Sequence, residues 1–357
     1  MRKFNCIINL KWVVFMNLNK THYICIAILV VIVASLFAFT NKSFLINVCK
    51  DNKWGYITPK NKLVIPIIYD YSSEFNEGLA PVCKGFKCGA LDKKGNLHIP
   101  LHYDMVFDFS DGLAMVSKDN EFGYINKSNK LVIPFQPVLA RSFSDGLAAI
   151  SHMDNKWGFI DKKGNVVIEF KYDEVKDFHN GYATFRIGEN WGVINKKGKE
   201  IIPAKYSALG EFENNQITAC KKTLQENKGS CGVMNKKEKE IIPFKYFWVN
   251  PYQEGFYIAQ DKPSSWIYIN KHGRIPFGKR FYVADEYHHG LAMVCVTADK
   301  CGFINKKGEI KVEAEYEALS PIHNGIAAAM KDGKWGFINR KGKVIIPFEY
   351  DWTGLIF

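Results

Sequence analysis

The chain has 357 residues, 47% hydrophobic and 14% aromatic, which is too apolar for a disordered segment and enough to bury a continuous core. Its net charge of +12 leans toward acidic partners, whether nucleic acid, anionic lipid or an acidic polymer, and says nothing about fold. There is no Gly-rich phosphate loop, nucleophile elbow or Cys-x-x-Cys, so the usual marks of nucleotide binding, serine hydrolysis and dithiol redox chemistry are missing.

Residues 1–43 form a leader unlike the rest. No charge falls between Tyr23 and Asn41, and the run from Ile24 to Val33 is apolar on every helical face, which predicts a helix over about 23–40 suited to lipid. Arg2, Lys3, Lys11 and Lys20 precede it, so the positive flank stays in the cytoplasm and the remainder of the chain is placed outside. Two readings stand, a retained signal anchor or a cleaved signal peptide. In the second, translation starts at Met16 and cleavage falls near Ala38-Phe39-Thr40.

From residue 44 to residue 351 the chain repeats. A tryptophan-like position, in most copies preceding a Gly, recurs at Trp54, Cys88, Phe122, Trp157, Trp191, Cys231, Trp266, Cys301 and Trp335. The period is close to 34 residues, which makes the array a stack of small supersecondary units. Each unit reads as a three-stranded meander. In the second copy the strands lie around Gly78 to Val82, Gly89 to Asp92 and Leu97 to Pro100. The turn between the last two strands is Asn/Asp-Lys-Lys-Gly, as in Asn195 to Gly198, and suits a hairpin closed by a left-handed residue. A proline such as Pro100 or Pro203 ends the third strand, and a Tyr-Asp pair such as Tyr103-Asp104 leads through Phe-x-x-Gly to the next unit.

Alternation along the middle strand puts Trp157 and Phe159 on one face and Ile160 on the other, so both faces are apolar and neighbouring units must cover each other. Trp54, Trp157, Trp191, Trp266 and Trp335 are accordingly expected in the repeat core, with the adjacent Gly giving a neighbouring ring bare backbone to lie on. Three strands in 34 residues fall short of the four strands and 40 or so residues of a usual propeller blade. They predict an all-β open twisted solenoid of about nine three-stranded units, with a closed propeller-like ring as the alternative. Residues 352–357 then remain as a C-terminal cap.

The recurrence of Trp-Gly-Phe/Tyr/Val-Ile-Asn/Asp-Lys-Lys-Gly with Ile-Ile-Pro, as in Lys53-Trp54-Gly55-Tyr56-Ile57 and Lys334-Trp335-Gly336-Phe337-Ile338, resembles the bacterial WG-repeat family, also called KWG repeats. The resemblance covers residues 49–351. It implies an exported or envelope interaction array and supplies no active site to carry over. The sequence departs from the pattern at Cys88, Phe122, Cys231 and Cys301, where Trp is missing. The seventh unit also departs, with Ile267 in place of Gly and no Ile-Pro-x-x-Tyr-Asp tail.

Cysteine keeps the same register. Cys83, Cys220 and Cys295 lie on the strand preceding Cys88, Cys231 and Cys301, so each Cys at the Trp position faces another across a hairpin, and three disulfides are expected. Cys49 holds the same register but faces Trp54. Bridged cysteines require an oxidising compartment, in agreement with the leader.

The turns concentrate positive charge. Lys93, Lys94, Lys162, Lys163, Lys196, Lys197, Lys236, Lys237, Lys306, Lys307, Arg340 and Lys341 form a ladder suited to an acidic glycan or another polyanion, although Lys is also a common residue of exposed turns. His98 and His102 flank Pro100 in a strand, where a four-residue spacing makes no helical metal pair, and His288, His289 and His323 precede turns. Asp70, Asp104, Asp173 and Asp351 recur once per unit, as structural residues do. The sequence therefore predicts an exported or membrane-anchored scaffold for envelope proteins, with no cofactor, metal or catalytic residue. A glycan or polyanion binder is the second reading, a carboxylate-based glycan hydrolase the third, and nucleic acid is disfavoured as a partner.

Overall fold

The computed structural model describes residues 44–152, 155–223, 229–250 and 252–354. The leader helix expected over about 23–40 lies outside them. Among the described residues no helix is long and apolar enough to cross a membrane.

The described residues form nine antiparallel sheets, eight of them four-stranded. The second is typical, with strand a at Tyr71–Ser72, b at Leu79–Lys84, c at Lys87–Asp92 and d at Leu97–Tyr103, hydrogen-bonded in the order a, b, c, d. Strand b carries Leu79, Ala80 and Val82, all nearly inaccessible, because both its faces are covered by neighbouring sheets. Each core cluster accordingly spans two blades. Phe159 and Ile168 of the fourth pack with Val175, Phe178 and Phe185 of the fifth, and the Phe159 and Phe178 rings meet edge-on with centroids 4.7 Å apart.

Two expectations are overturned here. The units have four strands where three were expected, and the array closes into a nine-bladed β-propeller in place of the open solenoid. The extra strand is the two-residue segment after the Tyr-Asp link, too short to show any alternation in sequence. Closure comes from Trp352–Thr353, which pairs antiparallel with Ile46–Lys50, Cys49 opposite Trp352 and Val48 opposite Thr353. The first blade is thus assembled from both ends of the repeat region, with strand order 63–69, 53–57, 46–50, 352–353.

The Gly after Trp meets the expected ring in several blades and, in addition, a backbone carbonyl. In the fourth blade Trp157 pairs with Tyr172 and Phe159 with Ile168, so two residues of strand c span four of strand d, and the bulge drives the d backbone inward. A Cβ on Gly158 would lie 2.5 Å from the Ile168 carbonyl oxygen and 2.8 Å from Phe170 Cδ1. The same carbonyl crowds Gly55, Gly89, Gly192, Gly232, Gly302 and Gly336.

The seventh blade shows the effect of losing that Gly. Ile267 holds the position and is buried, and this sheet alone has three strands, 248–249, 256–262 and 265–270. The segment after it still keeps two anchors. Phe281 exchanges backbone hydrogen bonds with Trp266 at 2.8 and 2.9 Å, and Phe277 meets Gly308 of the next turn, where other blades use Ile or Val.

Candidate interaction surface

The two ends of the ring are built from different turns. One end carries the a-b turns and the Lys-rich c-d turns. The residue before each a-b turn Gly, such as Glu77, Asp111, Asp145 or Glu254, is held at left-handed φ, and its carboxylate accepts the backbone N–H of the equivalent turn one blade on. Asp111 accepts from Gly146 at 2.6 Å, and Glu254 accepts from His289 and Gly290 at 2.7 and 2.9 Å. The first Lys of the c-d turn closes the link, since Lys127 pairs with Glu77 at 2.9 Å, Lys162 with Asp111 at 3.8 Å and Lys306 with Glu254 at 3.1 Å.

The other end carries the b-c hairpins and the d-to-a crossovers. Here Asp70, Asp104, Asp173 and Asp351 each join the Lys two positions before Gly in their own blade, Lys53, Lys87, Lys156 and Lys334, to a hairpin amide of the next. The amides belong to Gly85, Asp119, Gly188 and Asp51, at 2.6 to 2.8 Å. The lysine hydrogen bond first, and the amide second, hold all four carboxyls below the usual aspartate range.

This division sorts the lysine ladder. Lys162, Lys306 and Arg340 are engaged between blades, Arg340 through the His289 carbonyl, and the Lys93 ammonium lies 6.0 Å from the Phe75 ring centroid. The second Lys of each turn behaves differently. Lys94, Lys163, Lys197, Lys237, Lys307 and Lys341 donate only their backbone N–H to the turn Asn or Asp at 2.8 to 3.0 Å, and their side chains are exposed. Lys196 and Lys236 are exposed first-position lysines, with the Lys196 ammonium close to Gly146.

Trp54, Trp157, Trp191 and Trp266 are half-buried, and only Trp335 reaches 4% exposure. The deeper core position lies two residues on, at Tyr56, Phe159, Val193, Tyr268 and Phe337. Arginine covers part of the tryptophan surface, with Arg141 5.1 Å from the Trp157 ring. Disulfides join Cys83 to Cys88, Cys220 to Cys231 and Cys295 to Cys301, with Cα atoms 3.9 to 4.0 Å apart, closer than the roughly 4.5 Å of an ordinary non-hydrogen-bonded cross-strand pair. Cys49 is free and buried. His98 and His102 are exposed, and no group of three metal-ligating side chains exists among the described residues.

On the crossover end, the Cys83–Cys88 bridge staples a hairpin whose tip, Phe86, is 97% exposed. A large Phe held in water by a short rigid turn, with Gly85 at φ +63, is the most exposed apolar side chain described. It lines a cavity of about 470 Å³ with Tyr71, Met105, Phe107, Asp104 and Asp108. Burial raises the Asp108 carboxyl, against a Ser73 hydrogen bond, and its Oδ1 is buried with no hydrogen-bond partner. Burial and then the Asp108 charge likewise raise Glu74, whose Oε1 is also unpartnered. The cavity therefore presents apolar rings beside a carboxylate with one oxygen, Asp108 Oδ1, that lacks a donor. Sequence reasoning did not reach it, because Phe86 and Asp108 lie 22 positions apart on different blades.

A family model for the WG containing repeat matches residues 54–88, 89–121, 122–157, 157–191, 191–221, 232–262, 302–335 and 335–355. The unmatched stretch between 262 and 302 contains the divergent end of the seventh blade. No curated protein matches the sequence. Among solved structures, a eukaryotic initiation factor is similar at TM-score 0.59 and 8% identity, over 88% of this chain and 97% of its own. BamB from Moraxella catarrhalis is similar at TM-score 0.41 and 12% identity, over 85% and 90%. Hsv2p of Kluyveromyces lactis is similar at TM-score 0.40 and 12% identity, over 66% and 92%.

Proposed function

Because the chain belongs to the family of WG-containing repeat proteins, we propose that its closed ring is a protein-interaction scaffold working outside the cytoplasm, docking a partner on the crossover end around Phe86. The observation that carries this reading is the stapled, exposed Phe86 beside the unpartnered Asp108 oxygen. A rigid aromatic anchor next to a desolvated charge is the usual composition of an interface hot spot. The matching partner surface offers an apolar side chain beside Lys or Arg. The three disulfides support an exported location, since such bonds persist in oxidising compartments. The carboxylates Asp70, Asp104, Asp173 and Asp351 are each engaged at a junction between blades, which favours a binding role over hydrolysis.

The test is a photo-crosslinking amino acid at position 86, with one at the exposed Val344 as control, in intact cells. The reading requires a discrete cross-linked protein at position 86, absent at 344 and lost on Asp108→Lys. Equal patterns at the two positions refute it.

A second reading, binding of an acidic glycan, rests on the exposed second-position lysines. Replacing Lys94, Lys163, Lys197, Lys237, Lys307 and Lys341 by Gln is expected to abolish salt-sensitive retention on an acidic polysaccharide. Retention unchanged by these substitutions or by salt eliminates this reading.

A further inference from the structure

The irregular segment of the seventh blade opens a second cavity, of about 310 Å³, against the eighth. Phe281, Val294, Phe303, Ile304, Val312 and Ala314 line it, together with Lys279 and Arg280. Two departures from the repeat and one small side chain border this space. Ile267 replaces the Gly on which strand d rests, and between Arg274 and Phe281, which each bond the edge strand, the chain forms no strand. Lys279 stands where other blades put an apolar side chain against that Gly, such as Phe170, Phe348 or Ile67. Ala314 holds the same position in the eighth blade, small as Ala204 is in the fifth, where Phe170 and Phe348 fill it in the fourth and ninth.

Charge then narrows the ligand. Arg280 is matched by Asp261, which it contacts at 2.9 Å through Nη2 and at 3.0 Å through Nε. Lys279 meets only the Gly308 carbonyl, at 2.8 Å, so its ammonium faces no carboxylate among the described residues. Both basic residues are exposed, whereas Phe281, Val294, Phe303 and Ile304 are buried, so the charge sits at the solvent side of an apolar recess. At about 30 Å³ for a group the size of a water molecule, roughly ten such groups fill the volume, at the small end of ligand pockets.

We propose that this recess binds a medium-chain carboxylate, its chain between the seventh and eighth blades and its single negative charge on Lys279. This site is separate from the Phe86 surface and stands whether or not that surface docks a partner.

The test is photolabelling of the full chain with a diazirine-bearing decanoate, mapped by peptide mass spectrometry, beside the corresponding neutral decanol probe. Label is expected in the peptides holding Val294 and Val312, with unlabelled decanoate as competitor. Ala314→Phe fills the recess with the residue other blades carry there and is expected to reduce labelling about tenfold. Lys279→Gln is expected to bring decanoate labelling down to that of decanol. Labelling that survives Ala314→Phe, or that falls elsewhere, overturns the cavity as the site, and equal labelling by the two probes in the unaltered chain overturns the anionic head group. Thermal unfolding of each variant, measured alongside, separates loss of the recess from loss of the fold.

Discussion

The backbone amide of Asp51 donates to the carboxylate of Asp351 at 2.8 Å, across three hundred residues of chain. Asp70, Asp104 and Asp173 make the same bond between consecutive blades, so the ring closes with a bond that also holds three of its other junctions. All four carboxyls are held below the aspartate range by a lysine. A depressed folded pKa stabilises the fold fully above the unfolded value of about 3.9, and that contribution is lost as pH falls through the folded value. Thermal unfolding should therefore show an acid limb below about pH 4. Asp351→Asn, with its three counterparts, should flatten that limb.

Glu286 is expected to act in the opposite sense. Burial first, then Glu213 and Asp285, push its carboxyl up to about 7, against an Asn250 hydrogen bond. A raised folded pKa means stability is greatest below the unfolded value of about 4.3 and declines as pH rises through about 7. Glu286→Gln should raise the melting temperature by a few degrees near pH 8 and leave it unchanged near pH 4.

The bulge of strand d gives a packing prediction. Gly158→Ala forces a Cβ against the Ile168 carbonyl and should cost about 1–3 kcal/mol, read from denaturant unfolding. At Ile267, where strand d already stands away, enlargement has no such target, but Ile267→Ala empties a buried site and should cost about 2–5 kcal/mol.

Much of this was legible in the sequence. The period located strands b, c and d, and the recurrence of Cys83 with Cys88, Cys220 with Cys231 and Cys295 with Cys301 marked the bridged pairs. Ring closure was hidden because strand a has two residues in every blade but the eighth and because Trp352–Thr353 read as a leftover tail. The division of the lysines was hidden for a different reason. Lys127 finds Glu77, and Lys162 finds Asp111, about fifty residues back, so two adjacent identical side chains differ only through partners on another blade.

The bridges should be felt as stability. Their loops span sequence separations of 5, 11 and 6, for which the chain-entropy account gives about 2–3 kcal/mol each at most. Reduction should lower the melting temperature, and Cys88→Ser should reproduce part of the loss while exposing one new titratable thiol, at Cys83. An unchanged thiol count in that variant contradicts the pairing.

The pairing of Trp352–Thr353 with Ile46–Lys50 turns repeat number into a quantised property. Tandem repeats are prone to duplication and deletion, and an open array absorbs either by growing or shrinking at an end. A ring has no such freedom, because nine blades share a full turn at roughly 40° each and eight would need about 45° at every junction. Losing a single unit would therefore misalign every Asp-to-amide bond around the circle at once, and selection for a closed ring would hold the gene at its present copy number even while single units such as the seventh drift.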